Sequence, residues 1–299
     1  MKILCIGQST YDITIPVSEY PIENRKYKIN GVYECGGGSS NNSAYLLAKW
    51  HDDVYLASPI GYDDYGKNIK NELLNAGVNI DYFEEKKDIK TTISYIINNT
   101  KTGTRTIITN KDNNMHFNND HVINIKPDII LIDGNEYEMS LKVLKNNPEA
   151  IKIIDAGNMK EGIVDLAKLC DYVVCSNDFA REYSGINFDY DDINKIYEVY
   201  DKVAKDFKGK IVITLEHLGS LTKIDNEFKL VPSIKVEGVD STGAGDIYHG
   251  AFTHFIANGY SLLDTMHYAN IAGALSVKKI GSKNSMPNLE EVENFNELW

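Results

Sequence analysis

Residues 239–246 read "VDSTGAGD", and an apolar run follows at once from Ile247. Ile247, Ala251 and Phe255 recur every four residues, with Phe252 and Ile256 beside them and Gly259 closing the pattern. That is a helix opening at the end of the quoted stretch, and "VEGVD" (236–240) before it reads as a strand. Gly243 and Gly245 can take backbone angles closed to other residues and let a ligand approach the main chain. Successive N–H groups at a helix start converge on one concavity, where the macrodipole also favours negative charge. Asp246 falls in the first turn, where an acid alone is often no more than a favourable charge–dipole contact. That contact does not account for two glycines flanking Ala244. Calcium loops need alternating acids, which are missing, and a P-loop needs Lys-Ser or Lys-Thr after its glycines. An anion cradle with a carboxylate beside it suits phosphoryl transfer. The cradle spreads the charge developing on the transferred group, and the carboxylate accepts the attacking hydroxyl's proton.

Outward from this stretch the chain has a regular rhythm. Short apolar runs recur as "KILCIG", "DVYLASPIG", "DIILIDG", "IKIIDAG", "DYVVCS" and "KIVITLE". They are continuous rather than alternating, as strands buried on both faces of a parallel sheet are. Helical patterns lie between several of them. Ile69, Leu73 and Leu74 form one apolar face ending at Gly77, and Ser261 with Asp264 forms a capped start leading through Met266, Ala269 and Ala272. Strands alternating with helices imply an α/β fold with a doubly wound, mostly parallel sheet flanked by helices, with ligands at the strands' carboxyl ends. Residues 1–299 read as one domain carrying two β-prone insertions, at about 11–35 and 91–110. These are either ordinary edge strands or a small β lid over the ligand.

Composition narrows the partners. With 42% hydrophobic and 25% charged residues the chain reads as an ordinary soluble globular protein. No apolar stretch approaches the ~20 residues of a membrane span, and "MKILCIGQS" lacks the features of a signal peptide. The four cysteines, Cys5, Cys35, Cys170 and Cys175, show no metal-ligand spacing and suit reduced thiols in a cytoplasmic protein. A net charge of −12 argues against nucleic acid. A small anion remains compatible, because backbone N–H groups can hold one without a lysine. "CIGQSTYDI" lacks the Gly-x-Gly-x-x-Gly of a dinucleotide-binding oxidoreductase.

A second glycine cluster, "CGGGSSNNSAYLLAKW" (35–50), also leads from an extended segment into a helical one. Asn41 and Asn42 there can cap the helix or turn their amides toward a polyol.

Together these motifs resemble the PfkB family of carbohydrate kinases, with the ribokinase-like fold, over essentially the whole chain and in the right order. Gly37, Gly38 and Asn42 match its early Gly-Gly-x-x-x-Asn, and Gly61, Asp63 and Gly66 match the glycine and Asp-x-x-Gly that follow. Asp240, Thr242, Gly243, Ala244, Gly245 and Asp246 match its late Asp-x-Thr-Gly-Ala-Gly-Asp in full. The resemblance implies Asp246 as catalytic base and Gly243, Ala244 and Gly245 as anion hole. It implies Asp12, Gly37, Gly38 and Asn42 around the acceptor sugar, and Thr214, Gly219, Asn270 and Gly281 around ATP. It further implies Mg²⁺, a monovalent cation such as K⁺ near Asp240, Thr242, Gly281 and Ser285, and a homodimer formed through the lid.

Some positions depart from the family. His51 and Glu216 replace a small residue and a common glycine. Asn177 is present, but Ala180 stands where a glutamate of the Mg²⁺ and phosphate site often lies, with Asp178 and Glu182 as substitutes or plain surface acids. Arg25, Arg105 and Arg181 could grip an anionic acceptor, Arg105 being the site candidate among them, or make ordinary ion pairs. Residues 133–185 look most like fructokinase and ketohexokinase relatives, which suggests a ketose. A nucleoside or vitamin kinase, or a non-catalytic sugar- or nucleotide-binding relative, stands as the alternative.

Overall fold

Strand β1 (Lys2–Ile6) shows how the sequence builds two cores at once. Successive side chains of a strand point to opposite faces. Ile3 and Cys5 accordingly pack with Leu46, Phe252 and Met266, while Leu4 and Ile6 pack with Met139, Leu166 and Val199. The computed structural model describes residues 1–295. After β1 come β2 (Thr10–Val17), β3 (Tyr33–Gly37), α1 (Ser39–Lys49), β4 (Asp53–Ala57), β5 (Pro59–Gly61), α2 (Asp64–Ala76), β6 (Glu84–Lys86), β7 (Ile93–Asn99) and β8 (Thr104–Asn110). The middle of the chain supplies β9 (Ile129–Ile132), α3 (Tyr137–Asn146), β10 (Ile151–Ala156), α4 (Ile163–Ala167), β11 (Tyr172–Ser176), α5 (Asn177–Ser184) and α6 (Ile193–Ala204). The last part supplies β12 (Lys210–Thr214), β13 (Ser220–Ile224), β14 (Glu227–Val231), α7 (Ala244–Ala257), α8 (Leu262–Ser276) and α9 (Leu289–Glu293).

The main sheet has eight strands in the order β14-β13-β12-β11-β10-β9-β1-β4. From β12 to β4 all neighbours are parallel, and β13 and β14 close the far edge antiparallel. Helices α1, α7 and α8 cover one face, and α3 to α6 cover the other. A second sheet of four strands, ordered β3-β2-β7-β8, gathers the two β-prone stretches. Their β2–β7 pairing is parallel and therefore joins segments far apart in sequence. No helix among the described residues is long and apolar enough to cross a membrane.

Local signals fix several element ends. Gly77 ends α2 in the left-handed conformation at φ 95°, and Ser261 caps α8 by accepting from the Asp264 N–H. Asp63 caps α2 through Gly66 and also accepts from the main chain and hydroxyl of Thr91. That carboxylate thereby ties α2 to the strand-bearing insertion. His51 and Glu216 both take positive φ, 66° and 51°. Those are positions where a glycine fits without strain, and another residue costs of order 1 kcal/mol.

Two expectations need correction. Leu74 is 53% exposed, so the apolar face of α2 is Ile69 and Leu73 without it. Residues 236–240 form no strand. Val239 and Asp240 instead donate their N–H groups to the Val277 carbonyl at the end of α8. The segment hangs between that helix and the β7–β8 turn, beyond reach of a sheet partner.

Candidate functional site

The start of α7 is built as the sequence suggests. Gly243 caps it at φ 79°, and a Cβ there would lie 2.8 Å from the Ser282 side chain, so only glycine fits without displacement. The Ala244 N–H turns back to the Ser241 carbonyl. The N–H groups of Gly245 and Asp246 lie in the first turn, where a helix leaves its donors without acceptors. Gly245 is exposed, and an added Cβ would meet nothing within 4 Å, so the concavity in front of these donors is open.

Helix α1 brings its own start against this turn. Asn42 Nδ2 donates to Asp246 Oδ2 at 2.7 Å, and Ser43 Oγ donates to the Asp246 carbonyl at 2.9 Å. Neither Asn41 nor Asn42 caps α1. Gly38 holds that position without a side-chain bond, and the two amides reach across to other elements. Asn42 Oδ1 is buried with no hydrogen-bond partner, an open acceptor beside the Asp246 carboxylate. A buried acceptor left unpaired costs about 1–3 kcal/mol, so it marks a place where a donor from outside the protein would fit.

Asp12 lies on β2 on the same side, almost fully buried, and accepts from Thr10 Oγ1 at 2.7 Å. Burial pushes its carboxyl up to about 6. The Thr10 hydroxyl and Lys283 oppose that rise, and Asp246 adds to it. A Cβ at Gly37 would come within 2.0 Å of Asp12 Oδ2, so glycine is what lets β3 pass that carboxylate. Gly38 accepts the Asn42 N–H with its carbonyl.

Three further groups, unremarkable in the sequence, complete this side. Lys283 is buried; its Nζ donates to Asn41 Oδ1 at 2.6 Å and to the Asn41 carbonyl at 3.3 Å. It lies 4.4 Å from the Tyr45 ring and 3.9 Å from Glu72 Oε1. Burial pulls the ammonium down to about 8, against the opposing charges of Glu72, Cys35, Asp12 and Asp246. Glu72 Oε2 accepts the Gly36 N–H. Asp133, just past the fully buried β9, accepts from the N–H groups of Gln8, Ser40 and Asn135, pinning the ends of β1, α1 and β9 together. The carboxyl end of the apolar run "IILI" was the available signal for Asp133; Lys283 offered none.

The residues expected around a nucleotide and a cation are spread along the other flank. Thr214 ends β12 with its hydroxyl 3.4 Å from the Cys175 carbonyl, and Gly219 opens β13 at φ 102°. Asn270 donates its amide to the Val231 carbonyl at 2.9 Å, holding the chain as it leaves β14. Asp240 accepts from the N–H and hydroxyl of Thr242 through one oxygen and from the Gly281 N–H through the other. Ser285 lies in the turn after Gly281, its hydroxyl on the Ser282 carbonyl. Among the described residues no group of three or more His, Cys, Asp or Glu side chains could hold a metal ion. Ala180 is fully buried in the core beneath α5, while Asp178 and Glu182 face solvent. A divalent ion therefore finds no carboxylate where the family's glutamate stands.

None of the three arginines bonds to Asp12, Asn42 or Asp246. Arg181 donates to the Phe188 carbonyl and stacks 4.2 Å over that ring. Arg25 lies in the exposed stretch between β2 and β3. Arg105, on the exposed β8, donates to Ser241 Oγ at 2.7 Å. With Asn98 on the Val239 carbonyl and Ser241 on the Gly103 carbonyl, it latches the small sheet to the segment preceding α7.

Comparison with known proteins places this geometry. The family model described as "pfkB family carbohydrate kinase" matches residues 1–289. A ribokinase of Bacillus subtilis is 26% identical, the match covering 98% of this chain and 99% of that protein. A deoxyribokinase of Salmonella typhi is 23% identical, covering 99% and 98%. Among solved structures, an Arabidopsis thaliana ribokinase complexed with ribose and ATP superposes with a TM-score of 0.80 at 22% identity, over 97% of each chain. That likeness shows the fold.

Proposed function

The chain belongs to the pfkB family of carbohydrate kinases, ATP-dependent sugar kinases, and we propose that it phosphorylates a small, uncharged sugar with Asp246 as general base. The observation that carries this is the meeting of two helix starts. Asp246, half-exposed in the first turn of α7, is oriented by Asn42 from α1 beside the buried Asp12. In the reaction a sugar hydroxyl loses its proton to Asp246 while its oxygen forms a bond to the γ-phosphorus of ATP. The bond from that phosphorus to the β,γ-bridging oxygen breaks, giving the sugar phosphate and ADP. Of the three groups expected in the anion hole, the Ala244 N–H is taken by the Ser241 carbonyl. The N–H groups of Gly243 and Gly245, with that of Asp246, would meet the charge spreading over the transferred group. Thr214, Gly219, Asn270 and Gly281 would flank the nucleotide. Asp240, Thr242, Gly281 and Ser285 offer one carboxylate among hydroxyl and carbonyl oxygens, a set suited to a monovalent ion such as K⁺ that lends positive charge near the cradle. The side chains around Ala180 do not fit a directly held Mg²⁺, which is left to the nucleotide's own phosphates.

The acceptor is read from charge. Asp12 and Asp246 would face it, and Lys283 close by is committed to Asn41 and Glu72. Arg105 and Arg181 are engaged with Ser241 and Phe188, and the exposed Arg25 makes no bond to this site among the described residues. A neutral acceptor therefore fits the charge here better than a phosphorylated one. The relatives above are named for ribose and deoxyribose, so these come first, with the ketose suggested by residues 133–185 as the second arm. ADP release across pentoses, ketoses, sugar phosphates and nucleosides tests this. Turnover on neutral sugars is expected, and a preference for phosphorylated acceptors or nucleosides would overturn the reading.

Asp12 makes the acceptor step sensitive to acid. A carboxyl raised to about 6 is ionised at neutral pH and gains its proton as the pH falls through that value, losing its capacity to accept two sugar hydroxyls. The expected kcat/KM falls below about pH 6, and Asp12→Asn removes that limb. Losing hydrogen bonds to a charged group costs about 1.5–3 kcal/mol, so sugar KM in the variant rises roughly 10- to 150-fold. A limb retained in Asp12→Asn would show that another group causes it.

The four-stranded sheet would act as a lid that keeps water from competing as acceptor. On its outer face Tyr95 and Ile108 lie opposite each other on neighbouring strands and are exposed, an apolar pair suited to a second copy of the chain. Light scattering is expected to give twice the 33.6 kDa chain mass, and Ile108→Lys to shift it toward the monomer. A wild-type monomer at micromolar concentration would exclude the dimer.

A further inference from the structure

His249 lies on α7 one turn beyond Asp246, almost fully buried beneath the cradle. Its Nδ1 is 2.6 Å from the Gly245 carbonyl oxygen. Its Nε2 is 3.2 Å from the Val174 carbonyl oxygen and 3.4 Å from Asp155 Oδ1, at the carboxyl end of β10. All three partners are oxygens, and among the described residues no donor faces either ring nitrogen. A neutral imidazole has a single N–H, so one of its nitrogens would turn a lone pair onto an oxygen. A second ring proton removes that conflict and leaves a buried ion pair with Asp155.

We propose that His249 is held as an imidazolium by Asp155 and serves as a positioning residue for phosphoryl transfer. The ring would fix the Gly245 carbonyl, and with it the first-turn N–H groups that face the transferred group. The ring meets the Gly245 carbonyl and makes no hydrogen bond to Asp12 or Asn42, so its influence is placed on the chemical step. Asp155 is raised to about 6, chiefly by burial, with the His249 charge opposing; Asp246 and Asp133 add to the rise and Lys160 opposes it. Above that pH the carboxylate is ionised and can accept an N–H from the ring. These are the charged groups facing the pair from α7, β9 and the segment after β10.

The consequence falls on kcat. A ring with a single proton would turn a lone pair onto an oxygen and give up its hold on Gly245 or Val174. Asp155→Asn supplies an amide N–H to Nε2, so a neutral ring keeps its Nδ1–H on Gly245. The variant is expected to keep kcat at neutral pH within about fivefold. His249→Leu is expected to lower kcat roughly 10- to 100-fold, with sugar KM changed less than about threefold.

The kinetic part rests on the sugar-kinase reading, whereas ¹⁵N NMR of the histidine ring does not. In the wild type at neutral pH both His249 nitrogens should carry protons, and in Asp155→Asn only one. A singly protonated wild-type ring would overturn the proposal whatever the enzyme's substrate. So would two ring protons retained in Asp155→Asn. Should His249→Leu fail to fold, the ring spectra of the wild type and Asp155→Asn still decide.

Discussion

Asp246→Asn is expected to lower kcat by about 10²- to 10⁴-fold, the span that a positioned general base contributes. The substitution is close to isosteric. An asparagine oxygen at this position can still accept from Asn42 Nδ2, and the Ser43 hydroxyl still meets the main-chain carbonyl, so the two helix starts stay joined. What disappears is the capacity to take a proton and one negative charge beside Asp12. Sugar KM should change little, because Asp12 and the open Asn42 Oδ1 remain in place. Nucleotide affinity should hold or rise slightly, since the γ-phosphate no longer approaches a carboxylate. Steady-state kinetics with direct binding of sugar and ATP separates these effects. A kcat within tenfold of wild type, with binding unchanged, would remove Asp246 from the role of base.

Much of this arrangement could be read from the chain, because its signals are local. The runs at β1 and β9 are apolar at every interior position, and only a strand covered on both faces needs that. The turn at 243–246 carries its chemistry in consecutive residues, so its direction into α7 and the openness around Gly245 follow from spacing. What could not be read depends on contacts across long sequence separations. Lys283 is one lysine in a polar stretch until the fold seats it under Asn41 and Glu72. His249 looks like one more residue of an apolar helix until β10 and β11 bring Asp155 and the Val174 carbonyl to its ring. The strand expected at 236–240 failed for the converse reason: its β-prone side chains are present, but no strand edge is within reach. Arg105 shows the same limit, since its reach to Ser241 depends on how β8 folds over the segment before α7.

Lys283→Met is expected to be the most destabilising single change at the site. Removing one partner of a fully buried ion pair typically costs about 3–5 kcal/mol. Lys283 is buried but Glu72 only partly so, which places the cost toward or below the lower end of that span. Here Glu72 would lose its cation, and the carbonyl and Oδ1 of Asn41 would lose a donor. Methionine nearly matches the lysine stem in volume, so packing against Tyr45 is largely kept and the loss reports charge and hydrogen bonding. Lysine itself is not at ease in this position. Its folded-state value is drawn down to about 8 from 10.5, so the unfolded chain holds more protons between those values. Wild-type stability should therefore rise with pH across that window as far as this group is concerned, and Lys283→Met should abolish that component. The double variant Lys283→Met with Glu72→Gln discriminates between causes. The glutamine so introduced can still accept the Gly36 N–H through its amide oxygen while carrying no charge, so most of the lost stability should return. Denaturant unfolding at neutral pH measures both variants. If the double variant is no more stable than the single one, the Asn41 contacts outweigh the charge pair. If Lys283→Met costs nothing, the buried ammonium is retained for its charge beside Asp12 and Asp246. Its effect would then appear as an acid limb of kcat/KM moved to higher pH, because Asp12 would lose the neighbouring charge that favours its ionised form.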